Sequence, residues 1–70
     1  MKAETKAKLF ESWAYCDEEY KSTEFMLQYM QDFANVDLDC VVTFIQKTTN
    51  EQRKEWYNKQ KGEINNESKI

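Results

Sequence analysis

The 70-residue chain contains no proline, no histidine and a single glycine, Gly62. These are too few turn-forming residues for an all-β protein, which needs a turn signal about every ten residues. Without histidine the chain lacks the commonest general acid–base group, and neither cysteine has the usual histidine base to activate it. A single glycine also excludes a glycine-rich loop that cradles phosphate. These absences favour a helical protein that is not an enzyme.

Cysteine is also scarce, because the chain has only Cys16 and Cys40, which are far apart in sequence. A zinc site would have to be completed by carboxylates, which is unfavourable for an ion that prefers sulfur and nitrogen ligands. We therefore predict no metal site and no cofactor. We expect two reduced thiols packed as small hydrophobic side chains. A disulfide between them is the alternative in an oxidising compartment.

Long apolar runs are missing as well. No segment approaches the roughly 18 apolar residues of a membrane span, and no apolar stretch follows the N-terminal lysines as in a secretory signal. An apolar content of 40% is too high for a wholly disordered chain. We therefore expect one small cytoplasmic domain without a membrane segment. If the chain is encoded by a phage, a possibility taken up below, the cytoplasm would be that of the host cell. So short a chain is expected to gain stability from a partner or a second copy.

The most informative stretch is FMLQYMQDFA, residues 25–34. Placed on a helix, its apolar side chains cover an arc of about 200°. An ordinary surface helix has an apolar stripe nearer 100° wide, so this helix should have neighbours on more than one side. The sequence predicts an all-α bundle of three to four short helices with this second helix at its centre.

Capping signals divide the rest of the chain. Ser22 and Asp37 are expected N-caps, Asn35 is expected to end the second helix, and a capping box is expected at Thr48 or Thr49. Gly62 is the expected C-terminal glycine of the last helix. The first three predicted helices span about residues 5–21, 24–34 and 38–47, and the fourth begins after Thr48 or Thr49 and runs to about residue 61. This gives a domain of residues 1–62 and a disordered polar tail of residues 63–70.

The third helix is the weakest of these assignments. Residues 40–45, CVVTFI, have high β propensity. A lone strand would have no partner within this chain, and the capping pattern around Asp37 favours a helix. The alternative is a strand that pairs across a dimer.

Charge is distributed unevenly along a chain whose net charge is −3. Residues 11–39 hold eight acidic side chains and one lysine, whereas residues 40–61 hold five basic and two acidic ones. An acidic patch speeds encounter with a basic partner and selects that partner. Half-exposed aromatic side chains are typical anchors of binding surfaces. The predicted partner-binding residues are Tyr15, Asp17, Glu18, Glu19, Trp56 and Tyr57.

We therefore predict a non-catalytic acidic module that binds a larger protein with a basic surface and modulates it. One concrete form is a phage- or mobile-element-type inhibitor of a host nucleic-acid enzyme, and a homodimer is a further expectation. The alternative is a helix-turn-helix-like nucleic-acid-binding protein that uses the basic fourth helix. Its candidate phosphate-contacting residues are Arg53, Lys54, Lys59 and Lys61.

Overall fold

A computed structural model describes residues 2–69 of the chain, with side chains described for residues 2–60. Four α-helices follow one another: α1 (Ala3–Glu18), α2 (Thr23–Ala34), α3 (Leu38–Lys47) and α4 (Asn50–Lys69). No strand occurs within the described residues. The predicted all-α bundle is confirmed, and residues 40–45 are helical rather than a strand.

The predicted caps form as hydrogen bonds. The side chain of Ser22 accepts from the Phe25 amide at 3.1 Å, and that of Asp37 accepts from the Cys40 amide at 2.9 Å. Thr49 and Gln52 make a reciprocal capping box, in which each side chain accepts a bond from the other residue's amide. These bonds satisfy amides that have no partner within the first turn of a helix, and so they fix where α2, α3 and α4 begin.

The ends of α1 and α2 both use a residue with positive φ. Asn35 takes the left-handed conformation predicted for it, with φ 56°. Tyr20 does the same after α1, with φ 54°, and the Lys21 amide donates to the Cys16 carbonyl at 3.0 Å. This bond pattern is the Schellman motif, which usually has glycine at the left-handed position. Here the position is occupied by tyrosine, which is not a helix-ending signal. The sequence-based prediction therefore put the end of α1 too late, at residue 21 instead of Glu18.

The prediction that Gly62 ends the last helix is wrong, because α4 continues to Lys69. A glycine inside a helix costs about 1 kcal/mol relative to alanine, which a helix tolerates at a single position. It ends a helix when it adopts the left-handed conformation, and no glycine with positive φ occurs among the described residues. The division into a domain and a polar tail at residue 63 stays a prediction.

The core lies where α1 faces the other helices. The first helix packs against α2 and α4, and α2 packs against α3, so the second helix does lie between two neighbours. The first helix contributes half of the buried apolar cluster. That cluster consists of Leu9, Phe10, Trp13, Ala14, Met30, Ala34, Val41 and Phe44.

Arg53 of α4 is buried in this bundle, with only 4% of its surface exposed. Its Nη1 atom donates to the Ile45 carbonyl at 3.2 Å and the Thr48 carbonyl at 2.9 Å, and Nη2 donates to the side chain of Asn50. The guanidinium lies 4.8 Å from the centre of the Trp13 ring. Arg53 therefore joins the end of α3 to the start of α4 and to the central side chain of α1.

Burial of the Arg53 guanidinium has a cost. Burial lowers its pKa, an effect that the negative charge of Asp17 partly opposes. The Nε atom is buried without a hydrogen-bond partner among the described residues. Its hydrogen bonds to the Ile45 and Thr48 carbonyls and to the side chain of Asn50 offset part of this cost.

We predict that Arg53→Lys lowers the free energy of unfolding by about 2 kcal/mol, because an ammonium cannot reproduce the planar fork of donors. Urea unfolding monitored by circular dichroism measures this change. The mirrored exchange at the exposed neighbour, Lys54→Arg, is the control and should stay within about 0.5 kcal/mol of the parent chain. Equal stabilities of the two variants would contradict the structural role assigned to Arg53.

The two free thiols are expected to differ in reactivity. Cys16 is buried and Cys40 is half-buried, and burial raises the pKa of Cys16 although Lys21 partly opposes the effect. Since the thiolate is the reactive form, a thiol reagent at pH 8 should modify Cys40 in the native protein and Cys16 only after opening. Mass spectrometry of time points, with a urea-unfolded sample as control, measures both rates. Equal native rates would show that Cys16 is accessible.

Candidate functional site

Four aromatic rings form a continuous row on the outside of the bundle. Phe25, Tyr29 and Phe33 follow one another at intervals of one turn along α2, and neighbouring ring centres are 5.8 Å apart. Tyr15 of α1 joins the row, with its ring centre 5.0 Å from that of Tyr29. Tyr15, Phe25 and Phe33 are each about 40% exposed. We call these four residues the aromatic row.

The aromatic row is exposed because α2 carries more apolar surface than its neighbours can cover. Met30 and Ala34 face the core and are buried, whereas Phe25 and Phe33 fall on the edge of the apolar arc. The prediction that α2 has two neighbours is correct, but those neighbours cover only part of the arc. Sequence reasoning assigned the whole arc to packing and so missed these side chains as site residues. The sequence feature that could have identified them was the width of the apolar arc, which exceeds what the neighbouring helices cover.

Acidic side chains lie beside the aromatic row. Glu11 of α1 is one turn before Tyr15, and Glu19, the C-cap of α1, is one turn after it, so both lie near the Tyr15 side of the helix. On α2, Asp32 is one turn after Tyr29 and accepts a hydrogen bond from Gln28. These three carboxylates are exposed, and we call them the acidic rim.

One cation already lies on the aromatic row. The Lys21 ammonium nitrogen is 5.0 Å from the centre of the Phe25 ring. This distance is within the range of a cation–π contact, in which the electron-rich face of the ring attracts positive charge. The row therefore combines exposed apolar surface with ring faces that accept cations.

Three of the other predicted partner-binding residues, Asp17, Glu18 and Tyr57, line a separate groove between α1 and α4. This open groove of about 160 Å³ is lined by Asp17 and Glu18 of α1 and by Lys54 and Tyr57 of α4. Burial raises the pKa of Tyr57, and a hydrogen bond to Glu18 raises it further. Glu18 and Tyr57 thus pair with each other across the two helices.

The remaining predicted residues are placed as follows. Glu19 is exposed at the end of α1, where it belongs to the acidic rim. Trp56 is half-buried, and its ring stacks on that of Phe10 with centres 4.6 Å apart and planes at 10°. Trp56 and Tyr57 both pack against the core while keeping part of their surface exposed. The structure therefore brings only Tyr15 and Glu19 of the predicted set to the aromatic row.

Of the basic residues named for the nucleic-acid alternative, Arg53 is not available to a ligand. Arg53 is buried, and its guanidinium binds backbone carbonyls and the Trp13 ring, so it is not presented to a phosphate. Lys54 and Lys59 are exposed and together line one open groove on α4, where Glu51 and Glu55 lie beside them. The side chain of Lys61 lies outside the described residues.

Among the described residues, no group of three or more histidine, cysteine, aspartate or glutamate side chains is arranged to hold a metal ion. Within the same part of the chain, no helix has the length and apolar character needed to cross a bilayer. Comparison of the chain with protein-family models, with curated proteins and with solved structures finds no match.

Substitutions should separate the aromatic row from the core by their effect on stability. We predict that Phe33→Ala lowers the free energy of unfolding by less than about 1 kcal/mol, since much of the ring is already in water. Phe44→Ala removes a ring of the same type that is 4% exposed and should cost about 3–5 kcal/mol. Chemical denaturation of both variants measures the contrast. A large loss for Phe33→Ala would mean that this ring belongs to the core.

Proposed function

We propose that this chain is a non-catalytic protein-binding module whose contact surface is the aromatic row with its acidic rim. The observation that carries this proposal is the continuous contact of four aromatic rings, three of them about 40% exposed, on so small a bundle. Contiguous apolar surface of this kind on a small protein is characteristic of an interaction site.

The rings of the row are suited to binding because they are already held in place. The Tyr29 ring contacts the other three rings of the row. These side chains therefore have little conformational freedom left to lose when a partner binds. Tyrosine is enriched among the residues that dominate binding energy, because it buries a large apolar face and offers a hydroxyl at its edge. Tyr15 and Tyr29 each combine these two properties.

The charge around the row favours a basic partner. Glu11, Glu19 and Asp32 each lie one helical turn from Tyr15 or Tyr29. The faces of such rings accept cations, and Lys21 already occupies the face of Phe25. Arginine or lysine side chains on a partner would pair with the acidic rim and stack on the rings. A second copy of this chain would instead bring two acidic rims together, which is unfavourable.

Binding of this kind would modulate a larger protein by covering part of its surface. A basic groove that normally holds nucleic acid has the required charge, so an inhibitor of a nucleic-acid enzyme is the concrete form that we propose. A phage or a mobile element is a natural source of such an inhibitor. The free thiols of Cys16 and Cys40 are compatible with the reducing cytoplasm of a host cell.

The test compares the wild-type chain with Tyr15→Ala and Phe33→Ala as baits in nuclease-treated lysate of the source cell. Tyr20→Ala is the matched control, because Tyr20 is 94% exposed and lies outside the aromatic row. We expect one stoichiometric protein to bind the wild type and the control but neither row variant. Titration with that purified protein should then show an increase in Kd of roughly 30-fold for Tyr15→Ala, the effect of losing about 2 kcal/mol at a hot spot.

Two further measurements decide the role of charge. Glu19→Lys should slow association with the partner at low salt, and the difference from wild type should shrink as salt screens the rim. Sedimentation over a range of protein concentrations tests self-association. Equal capture by all baits would refute the proposed surface, and a dimer that Tyr15→Ala dissociates would make the partner a second copy.

A further inference from the structure

A second surface, unlike the aromatic row in charge, lies where α1, α3 and α4 meet. It is an open groove of about 420 Å³ whose lining includes Lys6, Lys47 and Lys59, one from each of these helices, together with one acidic residue, Glu55. This volume is within the usual range for sites that bind small molecules. We call it the lysine groove. It is locally basic although the whole chain carries a net charge of −3.

The charges of the lysine groove are available to a ligand. Lys6 and Lys47 are exposed, and neither makes an ion pair with another residue in the range 2–60. A second open groove of about 300 Å³ adjoins the first and shares both of these lysines with it. The two grooves together form one longer basic surface. Its length exceeds what a single phosphate group would occupy.

An aromatic ring lines the same groove. Trp56 is held by stacking on Phe10, which in turn meets Phe44 edge to face with ring centres 4.9 Å apart. Trp56 is half-buried, and the part that remains exposed lines the lysine groove. The groove thus combines positive charge with a fixed aromatic surface, which is how proteins bind nucleotides of a single strand without reading their sequence.

The lysine groove and the aromatic row face opposite sides of the bundle. Lys6 and Tyr15 both belong to α1 and are separated by about 180° around its axis. The acidic rim is therefore on the far side of the helix from the groove. An anion that approaches the groove meets lysines first, so the net negative charge of the chain does not prevent its binding.

We propose that the lysine groove binds nucleotides, with phosphate contacting Lys6, Lys47 and Lys59 and a base stacking on Trp56. The nucleotide is supplied either by a single-stranded nucleic acid or by a free nucleotide. This site goes beyond the proposed protein-binding function and is independent of it. It also differs from the helix-turn-helix alternative, because it uses residues of α1 and α3 and makes no use of Arg53.

The test measures binding of a fluorescently labelled oligothymidylate of about 12 nucleotides to the full chain by anisotropy. We expect binding at low salt, with a slope of log K against log salt of about −2 for three phosphate contacts. Lys6→Glu should weaken binding at least about tenfold. Lys8→Glu is the matched control, because it makes the same charge change on the same helix but lies about 160° from Lys6 around the helix axis. It should weaken binding less than about threefold, since only distant, screened charge is altered.

Competition identifies the source of the nucleotide and the part played by the base. Unlabelled oligothymidylate and ATP are compared with inorganic polyphosphate, which carries the same kind of charge without a base. Displacement by the oligonucleotide at much lower phosphate concentration than by ATP makes a single strand the ligand. Displacement by ATP at equal or lower concentration makes it a free nucleotide. Quenching of tryptophan fluorescence should accompany binding of either, because a base stacks on Trp56.

Three outcomes would overturn the proposal. The first is the absence of oligonucleotide binding at low salt. The second is equal weakening by Lys6→Glu and Lys8→Glu, which would reduce binding to unspecific charge. The third is displacement of the labelled oligonucleotide by polyphosphate at phosphate concentrations as low as those needed with oligothymidylate and with ATP. The Trp56 ring would then have no part in binding. None of these results bears on the aromatic row, whose test uses different variants and a protein partner.

Discussion

The fold depends on one buried guanidinium. Arg53 binds the last carbonyls of α3, the first side chain of α4 and the ring of Trp13, so it connects three helices at one point. A chain of this size has little apolar surface to bury, so a residue that joins several helices makes a larger relative contribution to its stability. Arginine suits the position because its planar fork of donors reaches several carbonyls at once.

Because Arg53 holds α4 against α1 and α3, it helps to position the lysine groove, which these three helices line. Trp13, under the guanidinium, belongs to the buried core. On one side α1 meets α2, and their outer edges form the aromatic row. On the other side α1 meets α3 and α4 around the stacked rings of Phe10 and Trp56, which line the lysine groove. One small bundle thereby separates acidic and basic surfaces that a random arrangement of the same charges would mix.

Local signals in the sequence predicted the helices well, because caps are local interactions. Ser22, Asp37 and the pair Thr49–Gln52 each act within a single turn. The site was predicted less completely, because exposure depends on how far neighbouring helices extend over a face. Periodicity placed Phe33 on the apolar face of α2 and could not tell that α1 and α3 leave it uncovered. Arg53 looked like a surface cation for the same reason, since its carbonyl partners are Ile45 of α3 and Thr48, the C-cap of that helix.

The exposed aromatic row has a consequence for how the molecule behaves among its own copies. Four adjacent, partly exposed rings favour association between copies, and the negative charge of the acidic rim opposes it. That repulsion depends on ionised carboxylates, and it fades as the pH approaches the isoelectric point near 4.9. Under the proposed function, the carboxylates beside the rings would serve solubility as well as recognition: they would disfavour aggregation at neutral pH and favour a positively charged partner.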